Sequence, residues 1–274
     1  MLNRYLFIKE ETAEELIHQS YNYEPIKTGD VINKFYYVKN YVVVHKKNIL
    51  LADDSTNVTN EYTHDVMQSL MKLYEKGVSV QPILGYSVNE QTIKTDENSN
   101  YVYGSGYMIL AKQNGDALYV YDKMPNPFNL NKSENESKKI GYLFERLENI
   151  STIPNEHFEK FVKDLHMILS EGLNFDASSQ SNILYNKQNG FVFTNISFRL
   201  NYSKNSNEFN NCFIGNCFAP CCINFEFTNS ISATDKEKLK SLNTIIFNKC
   251  KNALISFGVN EKLIEKYSSN IWKN

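Results

Sequence analysis

Three polar side chains between residues 172 and 197 have types and spacings that could do chemistry together. Asp176 lies in a short polar loop that follows a predicted amphipathic helix, and Asn182 ends this loop. Two short apolar runs separated by a turn come next and predict a β-hairpin, after which Asn195 follows. A carboxylate can accept a proton, and the side-chain oxygens of Asp and Asn can bind hard cations. The stretch therefore combines a candidate proton acceptor with side chains of the type that bind metals.

A lysine on an early strand is the second candidate. The run YVVVHKK predicts a strand, in which Val42, Val44 and Lys46 lie on one face and the alternate residues on the other. A lysine amine beside apolar side chains can bind an anionic group such as a phosphate. The alternative is that Lys46 and Lys47 are only solvated charges at the edge of a sheet.

This order of elements resembles that of the protein-kinase-like superfamily, nearest to bacterial aminoglycoside phosphotransferases and effector-type kinases. In these proteins a loop of the form D-x-x-x-x-N is followed by a hairpin and a metal-binding D-x-G, which is similar to the steps from Asp176 to Asn182 and on to Asn195. Here the loop has one extra residue, and asparagine stands in place of the metal-binding aspartate. The resemblance implies that Asp176 accepts the proton of the acceptor hydroxyl and that Asn182 and Asn195 bind Mg²⁺.

Upstream segments extend the resemblance to ATP binding. The string V-V-H-K is similar to the family pattern V-A-x-K, which implies that Lys46 binds the α- and β-phosphates. The string TGDVINKFYYV resembles the family's first turn, in which Gly29 would supply the flexibility of a phosphate-binding loop. The helix ending L-x-x-L-Y-x-x-G-V-x-V-x-P resembles the junction between the αC helix and the fourth strand, and Asp65 or Glu61 would then pair with Lys46.

The resemblance also implies a connector between two lobes and an overall fold. Leu110, Ala111 and Lys112 end a predicted strand and would offer backbone groups to adenine. The expected fold is α+β and two-lobed, with a small antiparallel-sheet lobe at residues 1–112 and a larger, mainly helical lobe at residues 113–274.

Apolar residues recur at helical spacing in several segments and predict the elements that must position these residues. The predicted helices span residues 10–20, 59–76, 138–150, 157–169 and 234–273, the last interrupted at Gly258. The third lies in a polar insertion at residues 122–155. The residues with this spacing are Tyr62, Val66, Leu70, Leu73 and Tyr74 in the second helix and Leu239, Leu242, Ile245, Ile246, Cys250 and Leu254 in the fifth. The expected buried stripe of the fourth helix is Phe158, Phe161, Val162, Leu165, Ile168 and Leu169.

Four of the five cysteines fall in CFIGNCFAPCC, at Cys212, Cys217, Cys221 and Cys222. One interpretation is a zinc or iron–sulfur site, because thiolates are soft ligands. The other, which we favour, is a buried apolar hairpin that uses cysteine as a small hydrophobic residue, because adjacent side chains on a strand point apart.

Composition limits the classes of function. The 274 residues carry a formal net charge of -2, with Lys and Arg scattered, so we expect no nucleic-acid partner. Apolar runs are too short to cross a bilayer, and the N-terminal residues lack the apolar core of a signal peptide, so we expect a cytoplasmic protein without a membrane partner.

By resemblance, the expected function is ATP-dependent phosphoryl transfer to a hydroxyl of a small molecule or a protein. A catalytically impaired kinase-fold protein that binds nucleotide or a protein partner is the alternative, and secretion as an effector stays open, as does the oligomeric state.

Overall fold

The computed structural model describes residues 2–26, 32–53, 62–96, 101–119, 133–175, 182–196, 198–199, 206–221 and 232–268. Two compact units divide the chain. Unit 1 comprises Met1–Asn114 and Ile196–Arg199, and unit 2 comprises Gly115–Asn195 and Leu200–Asn274. The two predicted lobes stay a prediction.

Unit 1 is built on an antiparallel sheet of five strands in the order β1-β4-β6-β3-β2, with the short β5 paired to β6. Its strands are β1 (Leu2–Arg4), β2 (Lys34–Val38), β3 (Tyr41–Asp53), β4 (Ile83–Val88), β5 (Lys94–Thr95) and β6 (Tyr101–Ala111). The run of valines in β3 is buried on both faces of the sheet, which explains its high β-branched content.

Two helices pack against this sheet, α1 (Glu10–Ser20) and α2 (Tyr62–Glu75). Helix α1 covers a core cluster that contains Leu16 and Val43. Helix α2, predicted from the spacing of its apolar residues, packs on β3 and β4 and buries Val66, Leu70 and Leu73. Tyr74, which belongs to the same series of apolar residues, is 49% exposed. It lies in the last turn of α2, and the residues from 74 to 77, at and just after the end of the helix, are all exposed.

Unit 2 is mainly helical. Its elements are β7 (Asp116–Ala117), α3 (Ser133–Ser151), α4 (Asn155–Ser170), β8 (Leu173–Asn174), β9 (Ile183–Asn186), β10 (Gly190–Phe193), α5 (Asn207–Cys217), α6 (Ala233–Ser256) and α7 (Glu261–Ser268); β11 (Phe198–Arg199) belongs to unit 1. Strands β10, β9 and β7 form a small antiparallel sheet in that order.

Helix α4 is the central element of unit 2 and packs against α5, α6 and β10. All six residues of its predicted apolar stripe are buried. On α6, Leu239, Ile246, Cys250 and Leu254 are buried, whereas Ile245 is 43% exposed. One residue advances a helix by about 100°, so Ile245 faces well away from the buried Ile246.

The first two of the four cysteines lie in helix α5 (Asn207–Cys217), not in the predicted apolar hairpin. The hydroxyl of Ser206 accepts a hydrogen bond from the Phe209 backbone N–H at 3.0 Å and caps α5. Phe209, Phe213 and Cys217 then recur at four-residue intervals and are buried, which is a helical rather than an extended period. Cys222 lies outside the described residues.

The mixed α+β class predicted from the sequence, an antiparallel sheet with several helices, is confirmed. In the part of the chain that the structure describes, no helix is both long enough and apolar enough to cross a membrane.

Candidate functional site

The hairpin of β9 and β10 brings the two predicted metal ligands into contact. Ile183 pairs with Phe193 at its open end, and the backbone N–H of Thr194 donates to the Asn182 carbonyl at 2.8 Å. The Thr194 hydroxyl donates to the same carbonyl at 3.0 Å. Beyond this double link, Nδ2 of Asn195 lies 3.5 Å from Oδ1 of Asn182.

The turn at the opposite end of the hairpin sets the register of the two strands. Oδ1 of Asn186 accepts from the backbone N–H of Gln188 at 2.8 Å and of Asn189 at 3.3 Å, which closes the turn. Gly190 follows with a φ of +79°, a left-handed conformation that glycine adopts without steric cost. A fixed turn sets the strand register, and the register sets the Asn182–Asn195 contact.

Asn195 has an unusual backbone for a residue with a side chain. Its φ is +55°, in the left-handed region that asparagine and aspartate tolerate better than most residues. The side chain is exposed, whereas that of Asn182 is only 8% exposed. The pair thus consists of one buried amide, fixed by the hairpin, and one amide at the surface.

The side-chain amides of Asn182 and Asn195 do not by themselves fit a magnesium site. Two neutral amides offer no formal charge, and the nitrogen of Asn195 faces the oxygen of Asn182. Magnesium in proteins is bound through carboxylates together with substrate phosphates and water. Among the described residues, no group of three or more His, Cys, Asp or Glu side chains could hold a metal ion. Magnesium binding by Asn182 and Asn195 stays a prediction.

Three aromatic rings pack together in unit 2, one from α4, one from the residue after β8 and one from the end of β10. The Phe193 ring stacks on Phe161 of α4 with centroids 4.9 Å apart, and the Phe175 ring meets Phe193 edge-on at 5.0 Å. Phe175, which is 1% exposed, is the last described residue before the predicted proton acceptor. Asp176 itself lies outside the described residues.

In unit 1, Lys46 lies in the middle of β3 and is half-buried. Val42 and Val44, which share its face by alternation, are buried, and its partner on β6 is Gly106, which has no side chain. The predicted role of Lys46 as a phosphate ligand stays a prediction.

His45 lies on the other face of β3. Its ring contacts the rings of Tyr36, Tyr107 and Tyr21, with centroid distances of 4.5 Å, 4.9 Å and 5.0 Å. Its Nε2 lies 2.8 Å from the hydroxyl of Ser20. The alternation predicted for this strand therefore separates His45 from Lys46.

The helix that would carry the partner of Lys46 is tethered to the same strand. The hydroxyl of Thr63, in the first turn of α2, donates to the carbonyl of Leu50 on β3. Asp65 follows on α2, whereas Glu61 lies outside the described residues. An ion pair of Lys46 with either acid stays a prediction.

The segment that would form the phosphate-binding turn is described only at its base. The Ile26 backbone N–H donates to the Phe35 carbonyl at 2.7 Å, which joins the chain before residue 27 to β2. Gly29, proposed as the flexible residue of the turn, lies outside the described residues.

The backbone groups predicted to meet adenine already have partners within unit 1. The N–H of Ala111 donates to Pro82 O and that of Lys112 donates to Asn40 O, both at 3.1 Å. The Ala111 carbonyl accepts from Nε2 of Gln81 at 3.0 Å, although a carbonyl has a second lone pair. Adenine binding at Leu110, Ala111 and Lys112 stays a prediction, and the two N–H groups would have to exchange partners.

An open cleft of about 430 Å³ lies elsewhere in unit 1, beside β1 and the start of α1. It is lined by Asn3, Tyr5, Ile8, Lys9, Glu10 and Glu11. None of the predicted site residues belongs to its lining.

Two polar contacts near the site were missed by the sequence reasoning. The Thr194 hydroxyl reinforces the hairpin end, and Asn216 on α5 donates from Nδ2 to the Phe175 carbonyl at 3.3 Å. A Thr one position before Asn195 is a local signal that could have been read. The contact of Asn216 joins residues 41 positions apart and has no such signal.

The sequence matches no protein-family model and no curated protein. Among solved structures, the chain is similar to one described as the ROP18 kinase domain in complex with AMP-PNP and sucrose. The match has 10% sequence identity, covers 91% of this chain and 82% of that chain, and has a TM-score of 0.34. A TM-score this low neither assigns a fold family nor bears on activity.

Proposed function

We propose that the protein is an ATP-dependent phosphotransferase of the protein-kinase-like kind, which acts on a hydroxyl of a small molecule or a protein. The observation that carries the proposal is the Asn182–Asn195 contact at the end of the β9–β10 hairpin. Two amides that sequence spacing marks as one unit, thirteen residues apart, meet side by side.

The order of elements in unit 1 supports the same function. Strands β2 and β3 are followed by α2 and then by β4 and β6, and Lys46 lies on β3. Protein kinases carry their phosphate-binding lysine on such a strand and pair it with an acid on the helix that follows. Within unit 1, Thr63 ties the start of that helix to the strand.

The proposed step needs few groups. Lys46 would bind the α- and β-phosphates of ATP, and Asp176 would accept the proton of the acceptor hydroxyl. As that oxygen bonds to the γ-phosphorus, the bond to the oxygen that bridges the β- and γ-phosphorus breaks and ADP leaves. Because the amides of Asn182 and Asn195 are neutral, they would orient phosphate groups or water rather than neutralise charge.

The test is phosphoryl transfer by the full chain. Wild-type protein with [γ-³²P]ATP and a panel of protein and small-molecule acceptors is expected to release ADP and label an acceptor, whereas Asp176→Ala is expected to lose all turnover. Glu237→Ala removes an exposed carboxylate from α6 and serves as the matched control. Equal turnover in wild type and Asp176→Ala would refute the assigned base. ATP binding without turnover would identify a catalytically inactive relative of kinases.

A further inference from the structure

The strand that carries Lys46 has a β-bulge that begins at the next residue. The register of β3 against β6 shifts between Lys46 and Ile49, so two residues of β3, at positions 47 and 48, stand opposite the single residue Ser105. An extra residue in one strand leaves backbone groups without ladder partners and bends that strand. Bulges are frequent beside active sites, where they change the direction of a side chain. This bulge therefore lies where it can set the direction of Lys46.

Two side chains hold the bulge, one from each side of β3. The backbone N–H of Lys47 donates to Oδ1 of Asn33 at 3.1 Å, and the Lys47 carbonyl accepts from the Ser105 hydroxyl at 2.9 Å. Asn33 directly precedes β2 and Ser105 lies in β6, and these two strands flank β3 on opposite sides. Side chains thus replace the ladder as hydrogen-bond partners of Lys47.

The backbone of Ser105 is committed to other partners. Its N–H donates to the Thr92 hydroxyl at 2.8 Å, and its carbonyl accepts from the Asn89 N–H at 2.9 Å. Both groups therefore point to the turn that follows β4. The link from Ser105 to β3 runs through its hydroxyl, so alanine at this position would remove the link and keep the backbone bonds.

The hydrogen bond to the Lys47 N–H acts on Lys46 through one peptide plane. The carbonyl carbon of Lys46 and the N–H of Lys47 belong to the same planar group, so a fixed N–H direction fixes the plane that leaves the Lys46 Cα. Lys46 itself is paired with Gly106 in the ladder. The Lys46 Cα is thus held on both sides, and its amine starts from a fixed origin.

The bulge also lies between Lys46 and the tether of helix α2. The Thr63 hydroxyl, in the first turn of α2, donates to the Leu50 carbonyl, which lies beyond the bulge on β3. Because a bulge sets the local bend and twist of its strand, it sets the angle between the part of β3 that carries Lys46 and the part that holds α2.

We propose that Asn33 and Ser105 are positioning residues for Lys46. They hold the bulge that fixes the backbone from which the Lys46 amine binds the phosphates of ATP. This role rests on the proposed function and deepens it, because it assigns two side chains that act through the backbone of β3 rather than on ATP itself.

Ser105→Ala removes the hydroxyl that bonds to the bulge, whereas Ser105→Thr keeps a hydroxyl at that position. Isothermal titration with ATP, and with adenosine, which has no phosphates, compares these variants with wild type. We expect Ser105→Ala to weaken ATP binding about three- to tenfold, the range for one lost hydrogen bond, and to leave adenosine binding within about twofold of wild type. We expect Ser105→Thr to restore ATP affinity.

The matched control is Ser151→Ala, which removes a hydroxyl that donates to a backbone carbonyl of α3 at 2.7 Å. It is expected to leave ATP affinity unchanged. Equal ATP affinity in wild type and Ser105→Ala would overturn the assignment. An equal loss in Ser105→Thr or in the control, or an equal loss of adenosine binding, would also overturn it, because the effect would then be a general one on the fold.

A second measurement needs no ATP and keeps failure of this inference distinct from failure of the proposed function. Amide hydrogen exchange, resolved by NMR at Lys47, reports the bond from its N–H to Asn33. We expect exchange there to be about tenfold faster in Asn33→Ala than in wild type, with no change at the buried Val43 of the same strand. If wild type binds no ATP but this difference is present, the phosphotransferase proposal fails and the hold of Asn33 on the backbone beside Lys46 stands. Equal exchange at Lys47 in both proteins would overturn the role of Asn33 whatever the activity.

Discussion

The ring of Phe175 meets the ring of Phe193 edge to face, with their centroids 5.0 Å apart and their planes at 84°. Phe175 precedes the predicted base by one residue, and Phe193 precedes Asn195 by two. An apolar contact inside unit 2 thus sets the spacing between two chain segments whose polar residues are proposed to act together.

Phe193→Ala tests this contact through stability. The side chain is fully buried and touches both Phe161 and Phe175, so its loss leaves a cavity as well as lost burial. We expect the free energy of unfolding to fall by about 3–5 kcal/mol. Urea unfolding followed by circular dichroism measures this loss. Ile245→Ala, at an exposed position of α6 in the same unit, is the control and is expected to cost under about 1 kcal/mol. Similar losses of unfolding free energy in both variants would show that the ring contacts of Phe193 do not contribute specifically to stability.

Asn195→Asp tests the role of the exposed amide. Aspartate has the same shape and tolerates the left-handed backbone at φ +55°, so the fold is expected to be kept. The new carboxylate supplies the charge that the amide pair lacks and that Mg²⁺ prefers. We expect Mg²⁺ to tighten ATP binding about tenfold more in this variant than in wild type, or about 1.4 kcal/mol.

Isothermal titration with and without Mg²⁺ measures that difference. The control is Asn189→Asp, in the turn at the opposite end of the hairpin, which makes the same chemical change away from the pair. A magnesium effect of the same size in wild type, Asn195→Asp and the control would count against the assigned position.

His45 gives unit 1 a pH-dependent stability. Burial, with a smaller effect from the Lys34 charge, lowers the pKa of His45. The Ser20 hydroxyl donates to the Ile17 carbonyl at 2.6 Å and therefore accepts a hydrogen bond from Nε2 of His45. The imidazole of His45 therefore binds a proton more readily in the unfolded chain than in the folded chain. Its contribution to stability is complete above the unfolded pKa of about 6.5 and is lost as the pH falls through the lower pKa of the folded state.

Unfolding experiments between about pH 5 and pH 8 check this direction. His45→Phe keeps a ring among the tyrosines but cannot be protonated, so we expect a flatter pH profile than in wild type. His18→Phe removes an exposed imidazole from α1 and is the matched control. A His45→Phe profile as steep as that of wild type would assign the acid sensitivity to other groups.

Much of the fold could be predicted from the periodicity of apolar residues in the sequence. The stripe of α4 was predictable because six large apolar residues repeat at helical spacing, and the β9–β10 hairpin because two apolar runs flank an Asn- and Gly-containing turn. Apolar spacing did not predict burial where exposure depends on the position of a residue along or around its helix. Tyr74 lies at the end of α2, and Ile245 lies off the buried face of α6.

The candidate site was predictable only where its contacts are local. Asn182 and Asn195 lie at the two ends of one hairpin. Because the turn fixes the register of that hairpin, the spacing of the two residues in the sequence indicates their contact. Asn216 meets Phe175 through tertiary packing of α5, and no pattern within either segment encodes that meeting. The same is true of the Ala111 and Lys112 N–H groups, whose partners come from separate parts of unit 1.

The most direct test of the central claim is ATP binding by Lys46→Ala and Lys47→Ala. The two lysines are adjacent on β3 and alternate in direction, so they form a matched pair of charge deletions. ATP at about a hundred times its Kd is expected to stabilise wild type by about 2.7 kcal/mol, which raises Tm by roughly 5 °C or more. We predict that Lys47→Ala keeps this shift and that Lys46→Ala loses most of it. No shift by ATP in wild type, with or without Mg²⁺, would contradict the assignment as a kinase-like phosphotransferase.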